Sequence, residues 1–153
     1  MARLDRIPEP MRSHLANLPC PSFKETAWIP GKPLSRRRVS LISTAGLHRR
    51  GDRPFQGMSG DYRVIPDDIT AGDLVMSHIS TNFDRTGFLQ DWNVMFPLDR
   101  LREFAAEGTI GSVAAYHYSF MGATDPAEME SSARNLAMLL KGDQVDAVLL
   151  APV

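Results

Sequence analysis

The residues with the clearest chemical potential stand in a polar stretch at positions 78–93. His78 begins it, Asp84 and Asp91 follow, and Asn93 ends it. An imidazole, two carboxylates and a carboxamide can donate and accept hydrogen bonds, transfer protons or bind a metal ion. We predict that His78 and Asp84 are catalytic, and that Asp91 and Asn93 contact the substrate.

Three kinds of chemistry fit these side chains. In the first, His78, Asp84 and Asp91 ligate zinc, iron or manganese, although their spacing matches no metal-binding motif. In the second, the stretch binds a small carboxylate or amine without reacting with it. His78 and Asn93 would donate hydrogen bonds, and Asp84 or Asp91 would pair with an ammonium group. In the third, the site is redox-active or nucleophilic, but no Gly-x-Ser-x-Gly or Cys-x-x-Cys motif supplies a nucleophile. We predict no resident metal ion.

A second group of candidate residues follows the apolar run Val39–Ser43. Thr44, Ala45 and Gly46 come directly after it. Small residues and a glycine at the end of a strand allow a ligand or another loop to approach the backbone closely. We therefore predict that Ser43, Thr44 and Gly46 contact the substrate.

Three apolar runs predict the strands that would bring these groups together. They are Val39–Ser43, Leu74–Ser77 and Val145–Val153. Strands of a parallel sheet are buried on both faces, and ligands bind in the crevice at their carboxyl ends. We therefore expect residues 43–46, 77–78 and 152–153 to lie close together, with the last run fully buried. Residues 62–65 predict an edge strand ended by Pro66, and residues 110–118 a less regular strand.

Two segments have the spacing and end signals of helices. Residues 97–107 begin with Pro97 and end before Gly108, and residues 125–142 begin with Asp125 as the N-cap. The predicted buried face of the second helix comprises Met129, Ala133, Leu136, Ala137 and Leu140. An apolar strand follows this helix almost at once, which is typical of an αβ unit. The predicted fold class is α/β, a Rossmann-like three-layer parallel sheet.

Residues 1–38 are rich in proline and predict an extended arm beside a domain at 39–153. A short helix is expected at residues 11–18, and burial of Phe23 and Trp28 would pin the arm. Cys20 is the only cysteine, which excludes an internal disulfide. We expect it to be a packed or exposed thiol and not a nucleophile.

The overall composition excludes several classes of function. A formal net charge of -1 gives no general attraction to nucleic acid or to a membrane surface. No apolar run approaches the ~20 residues of a spanning helix, and the first residues lack a secretory signal. We predict a cytoplasmic protein that binds neither nucleic acid nor membrane.

Several segments, taken in chain order, carry a resemblance to a known family. They are Ser43–Gly46, His78 with Asp84, Asp91 and Asn93, Phe96–Leu101, Gly108–Gly111, His117–Gly122 and Val145–Leu149. Together they resemble the selenoprotein B subunits of the glycine, sarcosine, betaine and D-proline reductases. The resemblance is strongest to the short D-proline-reductase-like members and runs from about Val39 to Val153.

The resemblance implies a redox residue that this sequence does not contain. In the family a selenocysteine, or a cysteine, follows the final strand in a Sec-x-x-Cys pair, which corresponds to the position after Val153. Its selenolate attacks the α-carbon of an amine substrate and cleaves the C–N bond. A partner subunit with a pyruvoyl group and a thioredoxin-like dithiol donor belong to the same system, which implies an oligomer.

These implications lead to further expectations. The gene would continue through a UGA codon after Val153, the sheet would be incomplete in its C-terminal half, and the isolated chain would be inactive. The substrate stays open among glycine, sarcosine, betaine, D-proline and related amines. The alternative is a non-catalytic small-molecule-binding or assembly subunit of α/β fold.

Overall fold

The computed structural model describes residues 3–19, 22, 24, 26–80 and 83–153. In chain order, the helices of this part are α1 Met11–Ala16, α2 Thr86–Gln90, α3 Leu98–Ala106 and α4 Pro126–Gly142. The strands are β1 Arg38–Ser43, β2 Leu47–Arg49, β3 Tyr62–Pro66, β4 Leu74–Met76, β5 Ser112–Val113, β6 Tyr116–Phe120 and β7 Ala147–Ala151.

Strand β1 is the centre of a five-stranded mixed sheet. Strand β7 runs parallel along one edge of β1, with Val39 opposite Ala147 and Ser43 opposite Ala151. Strands β5 and β6 also run parallel to β1, and they share its other edge because a strand has only two edges. Strand β3 is antiparallel to β6 at the outer edge, as the prediction of an edge strand required. The fold is therefore α/β, but the prediction of a wholly parallel sheet is wrong.

The run at residues 74–77 forms a strand, but not in the main sheet. Strand β4 pairs antiparallel with β2, with Leu47 opposite Met76 and Arg49 opposite Leu74. The sequence did not predict β2, because the three residues Leu-His-Arg have no alternation that marks a strand. The Rossmann-like three-layer arrangement stays a prediction.

Apolar side chains cover both faces of the main sheet. On one face, Leu41 and Ile65 belong to a core that also contains Phe96 and Leu98 from the start of α3. On the other face, Tyr118 and Leu136 form a smaller cluster between β6 and α4. Successive residues of a strand point to opposite faces, so β1 contributes to both cores, with Leu41 in the larger one and Ile42 packed against the smaller one.

The two long helices lie where the sequence predicted them. Helix α3 begins one residue later than predicted, with Pro97 as its N-cap residue, and Gly108 with φ of 74° follows its end. The side chain of Asp125 caps α4 by accepting a hydrogen bond from the Ala127 N–H at 2.9 Å. The predicted buried face of α4 is too wide: Leu136 is buried, whereas Ala133 and Ala137 are exposed.

Strand β7 is exposed, which contradicts the prediction of a fully buried strand. Val148, Leu149 and Leu150 expose 38%, 41% and 68% of their surface. The reason is position: β1 occupies one edge of β7, and no strand in the described part of the chain pairs with its other edge.

The segment before β1 makes little contact with the domain. None of the residues described between positions 3 and 37 is buried, and Trp28 is 78% exposed. The prediction that Trp28 pins the arm by burial is therefore wrong, whereas Phe23 and Cys20 lie outside the described residues. Helix α1 ends at Ala16, two residues before its predicted end at position 18. Among the helices described, none is long and apolar enough to span a membrane.

Candidate functional site

The carboxyl edge of the sheet brings three predicted segments together. The Thr44 hydroxyl accepts a hydrogen bond from the Val153 N–H at 2.8 Å and lies 3.3 Å from the Val153 carbonyl oxygen. The Thr44 N–H also donates to the Ala151 carbonyl at 3.2 Å. Thr44 therefore fixes the main chain immediately beyond β7, as the parallel arrangement of β1 and β7 predicted.

Gly122, after β6, completes this contact. Its N–H donates to the Thr44 carbonyl at 2.8 Å. A Cβ atom at Gly122 would lie 2.7 Å from the Val153 carbonyl oxygen, a distance too short for any side chain. The sequence analysis placed Gly122 in a family segment but did not identify it as a site residue. Only its position beside Thr44 and Val153 shows why glycine is needed.

Gly46 brings the backbone of His78 against the same edge. Gly46 has φ of 65°, a conformation that favours glycine. Its carbonyl accepts a hydrogen bond from the Ser77 N–H at 2.9 Å. A Cβ atom at Gly46 would lie 3.1 Å from the backbone nitrogen of His78 and 3.0 Å from the Cε of Met121. The predicted proximity of Thr44, Gly46, His78 and Val153 is therefore confirmed.

His78 is the buried titratable group of this edge, with 5% of its surface exposed. Its Nδ1 accepts a hydrogen bond from the Ser80 N–H at 3.2 Å, and its ring stacks on Phe83 with centroids 4.6 Å apart. Its Nε2 is buried, and no described residue forms a hydrogen bond with it. Burial, and then the nearby charge of Arg85, lower the pKa of His78. His78 is therefore a neutral imidazole at neutral pH.

Arg85 is a neighbour that the sequence analysis missed. One of its terminal nitrogens donates to the His78 carbonyl oxygen at 2.5 Å, so its guanidinium group lies against the strand end. Its position within the predicted polar stretch was the available signal, but its charge suggested an ordinary surface residue. No described acidic side chain forms an ion pair with it within 4.0 Å.

Ser43 is fully buried and makes internal hydrogen bonds. Its hydroxyl donates to the Met95 carbonyl at 2.8 Å and accepts from the Ala45 N–H at 3.2 Å. These bonds join the end of β1 to the segment before α3. Ser43 therefore positions the backbone of the carboxyl edge. Thr44 contacts Val153 directly, and Gly46 lies against the backbone of His78.

Asp84 lies on the surface at the start of α2. Its side chain accepts a hydrogen bond from the Thr86 N–H at 2.8 Å, which forms an Asx-turn. The hydrogen bonds from Thr86 hold the pKa of Asp84 below its ordinary value. Its carboxylate is therefore ionised at neutral pH.

Asp91 and Asn93 belong to a different polar cluster. The Asp91 carboxylate accepts hydrogen bonds from the Asn93 N–H and side-chain amide, both at 2.9 Å. Asn93 in turn donates to Asp99 at 3.0 Å, and the Trp92 indole N–H donates to the same carboxylate at 2.8 Å. These bonds fix the turn before α3.

The same cluster borders an open depression of about 420 Å³. Its lining residues are Ala71, Leu74, Phe88, Leu89, Gln90, Asp91, Trp92, Asn93 and Asp99. None of the residues at the carboxyl edge lines it. The structure therefore divides the predicted site into two parts: Thr44, Gly46 and His78 at the edge, and Asp91 and Asn93 beside α3.

His117 is fully buried on β6 and makes internal contacts. Its Nδ1 accepts a hydrogen bond from the Leu41 N–H at 3.0 Å, and its Nε2 lies 3.5 Å from an Asp67 oxygen. Arg102 contacts Asp67 and also donates to Asp99 at 2.9 Å. Burial lowers the pKa of His117 to about 4, so this imidazole is neutral at physiological pH.

The described residues show no constellation for a metal ion. Their histidine, cysteine, aspartate and glutamate side chains form no group of three or more that could hold one. His78, Asp84 and Asp91, the residues of the metal-binding alternative, make separate contacts. Cys20 lies outside the described residues.

Comparison with protein families gives one match that covers most of the chain. Residues 14–153 match the family described as glycine/sarcosine/betaine reductase selenoprotein B. No solved structure matches the chain.

Curated proteins give similar results. The chain is 37% identical over 128 residues to the D-proline reductase subunit gamma of Acetoanaerobium sticklandii, covering 80% of this chain and 52% of that protein. It is 32% identical to the glycine reductase complex component B subunit gamma of Symbiobacterium thermophilum, covering 86% and 32%. It is 34% identical to the betaine reductase complex component B subunit beta of Peptoclostridium acidaminophilum, covering 79% and 29%. The chain thus spans about half the length of the first relative and about a third of the others.

Proposed function

Because this chain belongs to the glycine/sarcosine/betaine reductase selenoprotein B family, we propose that it forms part of a reductase subunit. The reaction is reductive cleavage of the C–N bond of glycine, sarcosine, betaine, D-proline or a related amine. The family match over residues 14–153 is the observation that carries this proposal. The subunit would work with further reductase subunits, one of which can hold a pyruvoyl group.

The reaction needs a nucleophile and two electrons. We place a selenocysteine or cysteine directly after Val153. The contacts of Thr44 and Gly122 with Val153 support this position, because they fix the main chain at the carboxyl edge. A selenolate or thiolate there supplies the nucleophile that displaces the amine from the α-carbon. A dithiol donor, oxidised to its disulfide, supplies the two electrons.

The residues of this chain would bind and orient the substrate. His78 is buried at the edge with an unpaired Nε2, so it can donate a hydrogen bond to a substrate or to the leaving amine. Thr44 and Gly46 shape the adjacent backbone. The Asp84 carboxylate would reach the reacting atoms only if its hydrogen bond with the Thr86 N–H broke. Asp91 and Asn93 would reach them only if the turn before α3 rearranged. His78 is therefore the preferred catalytic residue among the predicted set.

Mass spectrometry of the native polypeptide and an activity assay test this proposal. The polypeptide should contain selenocysteine or cysteine after Val153. In the presence of partner subunits and a dithiol it should cleave the C–N bond, which releases the amine or, for D-proline, opens the ring. Alkylation of the selenol or thiol should abolish that cleavage. A native polypeptide without either residue at that position, or C–N cleavage that survives complete alkylation, would refute the proposed chemistry.

The second candidate is a subunit that binds a small molecule or assembles the complex without chemistry. It is favoured by the internal hydrogen bonds of Ser43, Asp91 and Asn93, which engage these predicted substrate contacts within the chain. Such a subunit would bind its ligand with unchanged affinity after alkylation, and the assembled complex would keep its turnover.

A further inference from the structure

Strand β7 presents apolar side chains on both faces of the main sheet. Its register with β1 places Leu149 beside Leu41, on the face of the larger core, and Leu150 beside Ile42, on the face of the smaller cluster. Both leucines of β7 are exposed. In the described part of the chain, β7 is therefore incompletely covered on either face, and no strand lies along its outer edge.

The outer edge of β7 has backbone donors that face away from β1. The Asp146 N–H donates to the Arg38 carbonyl at 2.9 Å, and successive N–H groups of a strand alternate between its two edges. The N–H groups of Ala147 and Leu149 therefore point to the outer edge, where no described strand accepts them. A further strand would satisfy these donors.

A strand alone would pair with this edge but would leave most of Leu150 open on its face. A helix that leads into a strand would cover both the face and the edge. The chain already contains such a unit, because α4 connects β6 to β7 and both strands run parallel to β1. A second unit of this kind after β7 is therefore the occupant that fits both the open edge and the open face.

The connection through α4 indicates which face the next helix would occupy. Strands β6 and β7 lie on opposite edges of β1, and α4 packs through Leu136 on the face of the smaller cluster. Connections between parallel strands of one sheet are right-handed in about 98% of cases. A second right-handed connection that continues outward from β7 crosses the same face as α4. That is the face of Leu150, the most exposed apolar residue of β7.

The relatives are long enough to supply this unit. The match to the D-proline reductase subunit gamma covers 52% of that protein, so about half of it lies outside the matched region. A helical connection between parallel strands needs about a dozen residues or more, and a strand needs about five or six.

We propose that the polypeptide after Val153 forms a helix beside α4 and then a strand that pairs parallel with the outer edge of β7. This inference rests on the proposed function, because it needs the continuation that carries the redox residue. It deepens that proposal by placing the redox residue at the turn between β7 and the new helix, next to the contact of Thr44 with Val153. The occupant of the edge is thus the protein's own chain and not a second copy.

Amide hydrogen exchange tests the pairing directly. It is followed by NMR in the 153-residue chain at a concentration where it is monomeric, and in the full-length polypeptide that continues after Val153. The N–H groups of Ala147 and Leu149 should exchange about tenfold or more slowly in the full-length polypeptide, because each gains a hydrogen bond. The N–H groups of Val148 and Leu150 face β1 and should be protected in both, which makes them internal controls.

A substitution tests which face the helix covers. Leu150→Gln should lower the Tm of the full-length polypeptide by more than it lowers the Tm of the 153-residue chain, because only the longer polypeptide buries this side chain. Leu89→Gln, at an exposed position of α2, should lower both Tm values by the same amount. Thermal unfolding followed by circular dichroism measures all four variants.

Three results would overturn the inference. Fast exchange of the Ala147 and Leu149 N–H groups in the full-length polypeptide would show that its edge stays open, and protection that dilution removes would assign the edge to a second copy. Equal Tm losses for Leu150→Gln in the two lengths would exclude a helix on this face. None of these measurements requires turnover. A protected edge in a polypeptide that cleaves no C–N bond therefore refutes only the reductase chemistry, whereas an open edge in an active polypeptide refutes only this inference.

Discussion

At the scale of single residues, Gly46 combines a special backbone conformation with close packing against His78. Its φ of 65° disfavours any side chain, and a Cβ would lie 3.0–3.2 Å from atoms of Met121 and His78. Gly57 has a similar φ of 56° but nothing within 4 Å of a Cβ. Comparing substitutions at Gly46 and Gly57 therefore separates the destabilisation caused by the backbone conformation from the destabilisation caused by steric crowding of the new side chain.

We predict that Gly46→Ala destabilises the protein more than Gly57→Ala does. Both variants should lose about 1–2 kcal/mol of stability, because alanine disfavours the left-handed backbone conformation. Gly46→Ala should cost about 1–3 kcal/mol more because the new methyl group overpacks the edge. Urea unfolding of the two variants measures the difference. Equal losses would show that the backbone conformation alone selects glycine at Gly46.

His117 should make stability depend on pH. Burial lowers its pKa to about 4 in the folded protein, against about 6.5 in the unfolded chain. Between these values the unfolded state binds more protons, so stability falls as the pH falls from about 6.5 to about 4. Nearby charges also affect the pKa of His117: Asp67 and Asp143 raise it, and Arg102 lowers it.

We predict that His117→Gln flattens this part of the stability profile. The variant loses the hydrogen bond to the Leu41 N–H and should be less stable at pH 7. The native protein should lose up to roughly 3 kcal/mol between pH 7 and pH 4 through His117, and the variant should lose less. Urea unfolding across this range is the measurement, with His14→Gln on exposed α1 as the control. Parallel profiles for the native protein and His117→Gln would contradict the prediction.

The sequence predicted part of the site because some roles depend only on local chain signals. Thr44 and Gly46 follow a strand in a way that marks a ligand-facing turn, and His78 ends the next apolar run. Arg85 and Gly122 were missed because their roles arise from contacts with residues far away in the chain. Asp91 and Asn93 were placed at the same site because composition cannot distinguish one polar cluster from two.

At the scale of elements, the start of α3 depends on Asp99. Its carboxylate accepts hydrogen bonds from the Trp92 indole, the Asn93 amide and Arg102. Burial raises the pKa of Asp99, but the hydrogen bonds outweigh this effect and the net pKa is lowered. These bonds hold the turn that precedes α3.

We predict that Asp99→Asn costs about 1–3 kcal/mol at pH 7, because the new amide cannot accept all of these bonds. The lowered pKa makes the contribution of Asp99 largest above the ordinary aspartate pKa of about 3.9 and smaller as the pH falls through the folded value. The difference between native protein and variant should therefore shrink in acid. A difference independent of pH would show that the charge of Asp99 contributes nothing.

The end of β7 depends on one hydroxyl group. Thr44→Val removes the bond to the Val153 N–H, so this amide should exchange with solvent about fivefold faster, in line with a net loss of roughly 1 kcal/mol. Thr44→Ser keeps the hydroxyl and should keep the protection. Hydrogen exchange followed by NMR tests both. Equal protection in the two variants would mean that β1 pairing alone holds the strand end.

The elements that the sequence predicted are those with a long repeating pattern or clear end signals. Strand β1, helix α3 and helix α4 belong to this group. Strand β2 and helix α2 are too short to give a repeating pattern. Strand β2 also depends on β4, a partner distant in the chain, so a local stretch of sequence does not show the pairing.

At the scale of the whole molecule, the apolar strand β7 is the main departure from expectation. An apolar run predicts burial, but pairing decides how much of a strand is covered, and β7 has only β1 beside it among the described strands. Its outer edge offers unpaired backbone groups next to apolar side chains. Such an edge readily pairs with another chain.

We therefore predict that the 153-residue chain associates through β7 as its concentration rises. Leu150→Lys should reduce this association, because a charge on an edge strand opposes pairing with a second edge. Leu89→Lys is the matched control, since Leu89 is 80% exposed on α2, away from the edge, and Leu150 is 68% exposed. Sedimentation velocity over a series of concentrations measures both variants. A native chain that stays monomeric throughout, or equal effects of the two lysines, would show that association does not depend on this edge.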